Sequence, residues 1–159
     1  MRILGVDPGY ERLGIAVLER GKKGEKEKVI FSECFKTSAK LDFPERLAQV
    51  GSEIKKVIKE YKPEMLAIET LFLTTNHKTV MRVAEARGVI IYEAKAGRLE
   101  IFEASPPQIK LAVASTGRAD KEQVIKMVRM LVELDKSKNS DDELDAIAIA
   151  LTAFAHTRK

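Results

Sequence analysis

Apolar residues in the first quarter of the chain come in short runs divided by charged or turn-forming spacers; further on they recur mainly at helical spacing. The run MRILGV, ending at Val6, reads as a buried strand. The residues DPGYERLG supply turn chemistry, LGIAVLE reads as a second strand and VIFSECF as a third. Between the second and third, RGKKGEKEK reads as a solvated hairpin tip. Spacers this short predict an antiparallel meander.

A helical stripe follows. Leu47, Val50, Ile54, Val57, Ile58 and Tyr61 share one face, Pro44 suits a first helical position, and Lys62-Pro63 ends the helix. EMLAIE is a short buried strand ending at Glu69. After the loop TLFLTTN, the pattern predicts a long helix from His77 to Lys95, then a fifth strand, EIFEA. Ser105 and two prolines open a short helix through Lys110. Asp120 caps another helix carrying Val124, Met127, Val128, Leu131 and Leu134. DKSKNS reads as a polar loop, and SDDELDAIAIALTAFAH, Ser140 to His156, as the last helix. Three meander strands followed by helical crossovers predict an α/β fold: a five-stranded mixed sheet with helices on both faces, forming one domain over residues 1–159.

Composition narrows the classes. Hydrophobic residues make up 45% of the 159, enough for a core of real size. No apolar run approaches a membrane span, and the N-terminus carries no signal-peptide pattern. Cys34 is the only cysteine, which excludes an intramolecular disulfide and a cysteine-based zinc site and fits a reducing cytoplasm. His77 and His156 form no ligand motif. The net charge of +4 is compatible with a nucleic-acid partner and does not by itself establish one.

The acidic residues say more. Asp7 follows the first strand and Glu69 ends the fourth. With the intervening helix as a crossover, parallel strands would open both ends on one side, where ligands of open α/β sheets bind. Taken singly, Asp7 is an ordinary turn residue before Pro-Gly, and Glu69 an exposed strand end. The last helix opens with Asp141, Asp142, Glu143 and Asp145. Ser140 and Glu143 there form a capping box in the sequence, which explains part of the acidity. Asp142 and Asp145 share a helix face, and so do Asp141 and Asp145; spacing leaves both pairs open. Four clustered carboxylates repel one another unless cations compensate. Mg²⁺ supplies such compensation. A four-acid cluster can hold two ions, the arrangement used for in-line attack of water on a phosphodiester.

At these residues the chain resembles a known family. ILGVDPG with Gly14, LAIETLF, SPPQIK, ADKEQV and DDELDAIAIA occur in the order and spacing of RuvC-type Holliday-junction resolvases, members of the ribonuclease-H-like superfamily. The resemblance covers nearly the whole chain. It implies that Asp7, Glu69, Asp142 and Asp145 are the catalytic, metal-binding acids, choosing Asp142 over Asp141. It further implies an Mg²⁺-dependent endonuclease, with two ions per site and Mn²⁺ able to substitute. Such an enzyme nicks opposed strands of a four-way DNA junction as a homodimer, in recombination and repair, alongside the branch-migration proteins RuvA and RuvB. Lys110 and Lys121 match basic positions that the family places near the DNA, and Arg118 sits in the same stretch. Phe72, three residues after Glu69, is open to two readings, a cap on the core or a platform for an unpaired base; the resemblance favours the second. Apolar residues on several sides of the helix from His77 to Lys95 suit either a buried helix or the dimer interface, where the family pairs. One departure is Tyr10, where many relatives carry a small residue after Asp-Pro-Gly.

Overall fold

The computed structural model describes residues 1–22, 24–71, 77–134 and 139–157. Three strands, β1 (Arg2–Asp7), β2 (Arg12–Glu19) and β3 (Glu27–Lys36), form the expected antiparallel meander. Helix α1 (Phe43–Tyr61) crosses over to β4 (Met65–Glu69), which pairs parallel with β1. Helix α2 (His77–Ala96) returns to β5 (Glu100–Ala104), parallel to β4. Helices α3 (Pro106–Ala114) and α4 (Lys121–Leu131), a short strand β6 (Val132–Glu133) and helix α5 (Asp141–Thr157) complete the order. The sheet runs β5-β4-β1-β2-β3-β6.

Local chemistry accounts for the element ends. Asp42 caps α1, its carboxylate accepting from the Glu45 N–H at 3.0 Å, and Pro44 occupies the first turn. Lys62 closes that helix in the left-handed region, with φ of 50°. Asp120 and Gln123 form a reciprocal capping box on α4. The Ser140–Glu143 box read from the sequence is formed on α5: the Ser140 N–H donates to Glu143 at 2.9 Å, and the Glu143 N–H donates to Ser140 Oγ at 3.3 Å.

Side chains alternate across the sheet with period two, and the two faces make two cores. Ile3, Ala16, Leu18, Met65 and Ala67 pack beneath α3, α4 and α5. Leu4, Val6, Ile15, Val17, Leu66 and Ile68 pack beneath α1 and α2. Nearly every side chain of α5 from Leu144 to Phe154 is buried, which explains its all-round apolar sequence.

Three details differ from expectation. The sheet has six strands, not five: after α4 the backbone at Val132 turns extended, with φ −121° and ψ 160°, and pairs with the start of β3 at Glu27. A two-residue strand is too short to show a period in sequence. Leu134 therefore lies beyond the helix that the pattern assigned it to, just after β6, and packs against the core. Helix α3 runs past Lys110 to Ala114, because Val113 is buried against the α5 side of the sheet, and it stops at Ser115 in the left-handed region.

Candidate active site

The alternation that builds the cores also places the acids. On β1, Ile3, Gly5 and Asp7 point to the α5 face; on β4, Met65, Ala67 and Glu69 do so. The parallel pairing runs as far as Val6 with Ile68, so Asp7 and Glu69 are the next residues on adjacent strands. Asp7 pairs with Gly14 on β2, and Gly14 with Cys34 on β3. One row across four strands thus reads Glu69, Asp7, Gly14, Cys34.

Helix α5 lies over that row. A side chain at Gly14 would collide with the Asp142 carbonyl oxygen, and one at Gly5 with that of Ala146. These two glycines let the helix sit against the sheet, so its first-turn acids arrive above the strand acids. Glu143 fastens it. The Glu143 carboxylate accepts from Ser32 Oγ at 2.7 Å and from Asn139 Nδ2 at 3.2 Å, tying α5 to β3. Burial would raise this carboxyl, but bonds from the Ser140 N–H, Ser32 and Asn139 hold it at about 2.

A cavity of about 230 Å³ opens at the carboxyl ends of β1 and β4. Asp7, Glu69 and Asp145 line it with Lys110 from α3 and Lys121 from the first turn of α4. Burial, reinforced by Asp145, Glu69 and Asp142, pushes the Asp7 carboxyl up to about 7. Burial and then Asp145 raise Glu69. Asp145 is also raised, by burial and its acidic neighbours on α5, against the opposing pull of Lys121. Lys121 Nζ lies 3.2 Å from Asp141 and 3.4 Å from Asp145. Arg87 braces the strand end, donating from Nε to the Glu69 carbonyl at 3.0 Å and pairing with Glu103.

Asp142 stands apart. It does not line the cavity. Its Oδ2 accepts from Arg12 Nε at 3.2 Å, from Arg12 Nη2, and from Cys34 Sγ at 3.4 Å. Burial opposes ionisation there, but the Arg12 and Cys34 bonds outweigh it and lower the carboxyl. Among the described residues, no three His, Cys, Asp or Glu side chains converge as a ready metal cage. The donor set nevertheless fits a hard divalent cation: three carboxylates from two strand ends and one helix, facing two lysines in the cavity lining.

Of the residues predicted from sequence, Asp7, Glu69, Asp145, Lys110 and Lys121 meet in one cavity, and Asp142 sits at its margin. Arg118 is exposed in the α3–α4 turn and does not line the cavity. Phe72 lies outside the described residues. Sequence reasoning missed Arg12, Ser32, Cys34 and Arg87. For the three strand residues the signal was alternation, which puts Arg12 and Gly14, like Ser32 and Cys34, on the acid-bearing face; Arg87, on helix α2, carried none.

Comparisons with known proteins bear on the fold and the family. The profile of the family described as crossover junction endodeoxyribonuclease RuvC matches residues 3–153. The crossover junction endodeoxyribonuclease RuvC of Thermosipho melanesiensis is 42% identical over 158 residues, covering 99% of both chains. A Thermus thermophilus RuvC structure superposes with a TM-score of 0.90 at 31% identity, covering 99% of this chain and 96% of that one. The same protein in complex with Holliday junction substrate gives 0.92 at 30% identity, over 99% and 95% of the two chains. With its ribonuclease-H-like sheet and a match over nearly its full length, the chain belongs to the RuvC family of crossover junction endodeoxyribonucleases.

Proposed function

We propose that this chain is an Mg²⁺-dependent endonuclease that resolves four-way DNA junctions by paired symmetric nicks, with residues 1–159 acting as one nuclease domain. The observation that carries the reading is the meeting of Asp7, Glu69 and Asp145 at the carboxyl edge of the sheet, beneath a helix that also presents Asp142. In this reading the four acids hold two divalent ions, with Mn²⁺ able to replace Mg²⁺. Bound there, the ions would supply an activated water and charge stabilisation at the leaving oxygen. Lys110 and Lys121, which line the same cavity, face the DNA backbone and orient the scissile phosphate. Arg118 adds a more distant phosphate contact, and Phe72 stacks on an unpaired base at the junction centre.

Two chains match the two-fold symmetry of the junction. The face of α2 turned to solvent is largely apolar, with Met81 65% and Tyr92 70% exposed and Ala84 and Gly88 between them. A Cβ at Gly88 would meet nothing within 4 Å, so Gly88→Glu leaves the monomer undisturbed. It should yield folded monomers by sedimentation, with a melting temperature no lower than wild type in the monomeric state; a wild-type monomer at micromolar concentration would contradict the dimer. No helix among the described residues is long and apolar enough to cross a membrane. A cytoplasmic enzyme working beside RuvA and RuvB completes the proposal.

The deciding experiment incubates the protein with a labelled four-way junction, a linear duplex and an RNA–DNA hybrid, with and without Mg²⁺. Symmetric nicks in the junction alone, and only with Mg²⁺, are expected. Preferential cleavage of the hybrid would replace the reading with another nuclease activity.

A further inference from the structure

We infer that Arg12 and a divalent cation compete for Asp142, so that Arg12 sets the cation concentration at which the site assembles. The inference rests on the proposed role of Asp142 as a cation ligand. Three donors converge on a single oxygen, Asp142 Oδ2: Arg12 Nε and Nη2 and the Cys34 thiol. Arg12 and Cys34 belong to β2 and β3, whereas the other acids line the cavity over β1 and β4. The grip therefore holds the Asp142 carboxylate over β2 and β3, outside the cavity that Asp7, Glu69 and Asp145 line.

The backbone beneath it has little freedom. Gly14 lies directly against the Asp142 carbonyl, and Glu143, the next residue, is tied to Ser32 and Ser140. Bringing Asp142 to the other acids thus requires its side chain to turn, not helix α5 to move. Arg12 can let go. Its side chain is 54% exposed, against 22% for Asp142, so the guanidinium has solvent to enter once the carboxylate leaves. An ion pair this accessible is weak enough to be displaced and strong enough to shift a binding curve. The guanidinium holds the position of a counter-charge until a cation claims the acid.

The test is calorimetric titration of Mn²⁺ into the full chain without DNA, for wild type, Arg12→Gln, Asp142→Asn and the double variant. Arg12→Gln should tighten Mn²⁺ binding by about two- to five-fold, the weight of one accessible ion pair. In the Asp142→Asn background, the same change should have no effect. Tightening that persists without the Asp142 carboxylate would mean only long-range relief of positive charge and would overturn the competition. Unchanged or weaker binding by Arg12→Gln would overturn it too. Asp142→Asn that binds Mn²⁺ like wild type would instead defeat the reading of Asp142 as a ligand, and the inference with it.

Discussion

The strand acids and the helix acids tolerate the same charge in different ways. Asp7 and Glu69, at the ends of β1 and β4, make no ion pair among the described residues, and burial with like-charged neighbours raises both. Asp142 and Asp145, on the first turns of α5, each have a basic partner: Arg12 for one, Lys121 for the other. A buried strand edge gives a long basic side chain little room, whereas a helix mouth is open to solvent and to neighbouring elements. The strand side thus holds acids that resist ionising until a cation compensates them, and the helix side is held by side chains that can exchange.

Catalysis should remove the distinction. Asp7→Asn, Glu69→Gln, Asp142→Asn and Asp145→Asn are each expected to abolish nicking while junction binding survives. Asp141→Asn, altering an exposed acid paired with Lys121, should keep most activity. A gel assay of all five variants checks this, and equal loss at Asp141 and Asp142 would undo the assignment.

Stability should expose the distinction most clearly. The folded-state pKa of Asp7, about 7, lies above its ordinary value of 3.8, so the folded state binds the proton more tightly. Wild type should therefore lose stability relative to Asp7→Asn as pH rises from about 4 to about 7, by on the order of 2–4 kcal/mol without divalent ions. Glu143 behaves oppositely. Its pKa is held at about 2, below 4.5, so its contribution is present above pH 4.5 and lost as pH falls toward 2. Glu143→Gln should cost about 1–3 kcal/mol at pH 7, for hydrogen bonds to a charged acceptor, and nearly nothing at pH 2. Denaturant melts of both variants across pH, in chelator, test the pair of signs. Parallel curves would break the comparison.

The smallest effects concern the walls. Lys110→Ala and Lys121→Ala should weaken junction binding and each reduce the salt slope by about 1. Arg118→Ala, outside the cavity, should do less. Fluorescence anisotropy at several salt concentrations separates the three. Identical behaviour would make the lysines ordinary surface charge.

Much of the fold is legible in the chain's own pattern. Periodicity together with spacer length and turn residues determined the meander, the crossovers and the buried last helix. Strand ends joined by a crossover predicted that Asp7 and Glu69 open on one side, while their common face was decided by the parallel register that sets Ile3 beside Met65. The capping box at Ser140 was readable because its partners lie three residues apart. Choosing Asp142 over Asp141 needed the family resemblance, since helical spacing allows either. Only the tertiary structure decided what joins distant residues: Arg12 with Asp142, 130 positions apart, and Ser32 with Glu143, 111 apart. It also decided the sixth strand, the close passage of α5 over Gly14 and the capture of Asp142 by Arg12 and Cys34 outside the cavity lining. Local pattern records which face a side chain occupies. Which partner waits on that face depends on how separate elements pack, and no short-range rule in the chain encodes it.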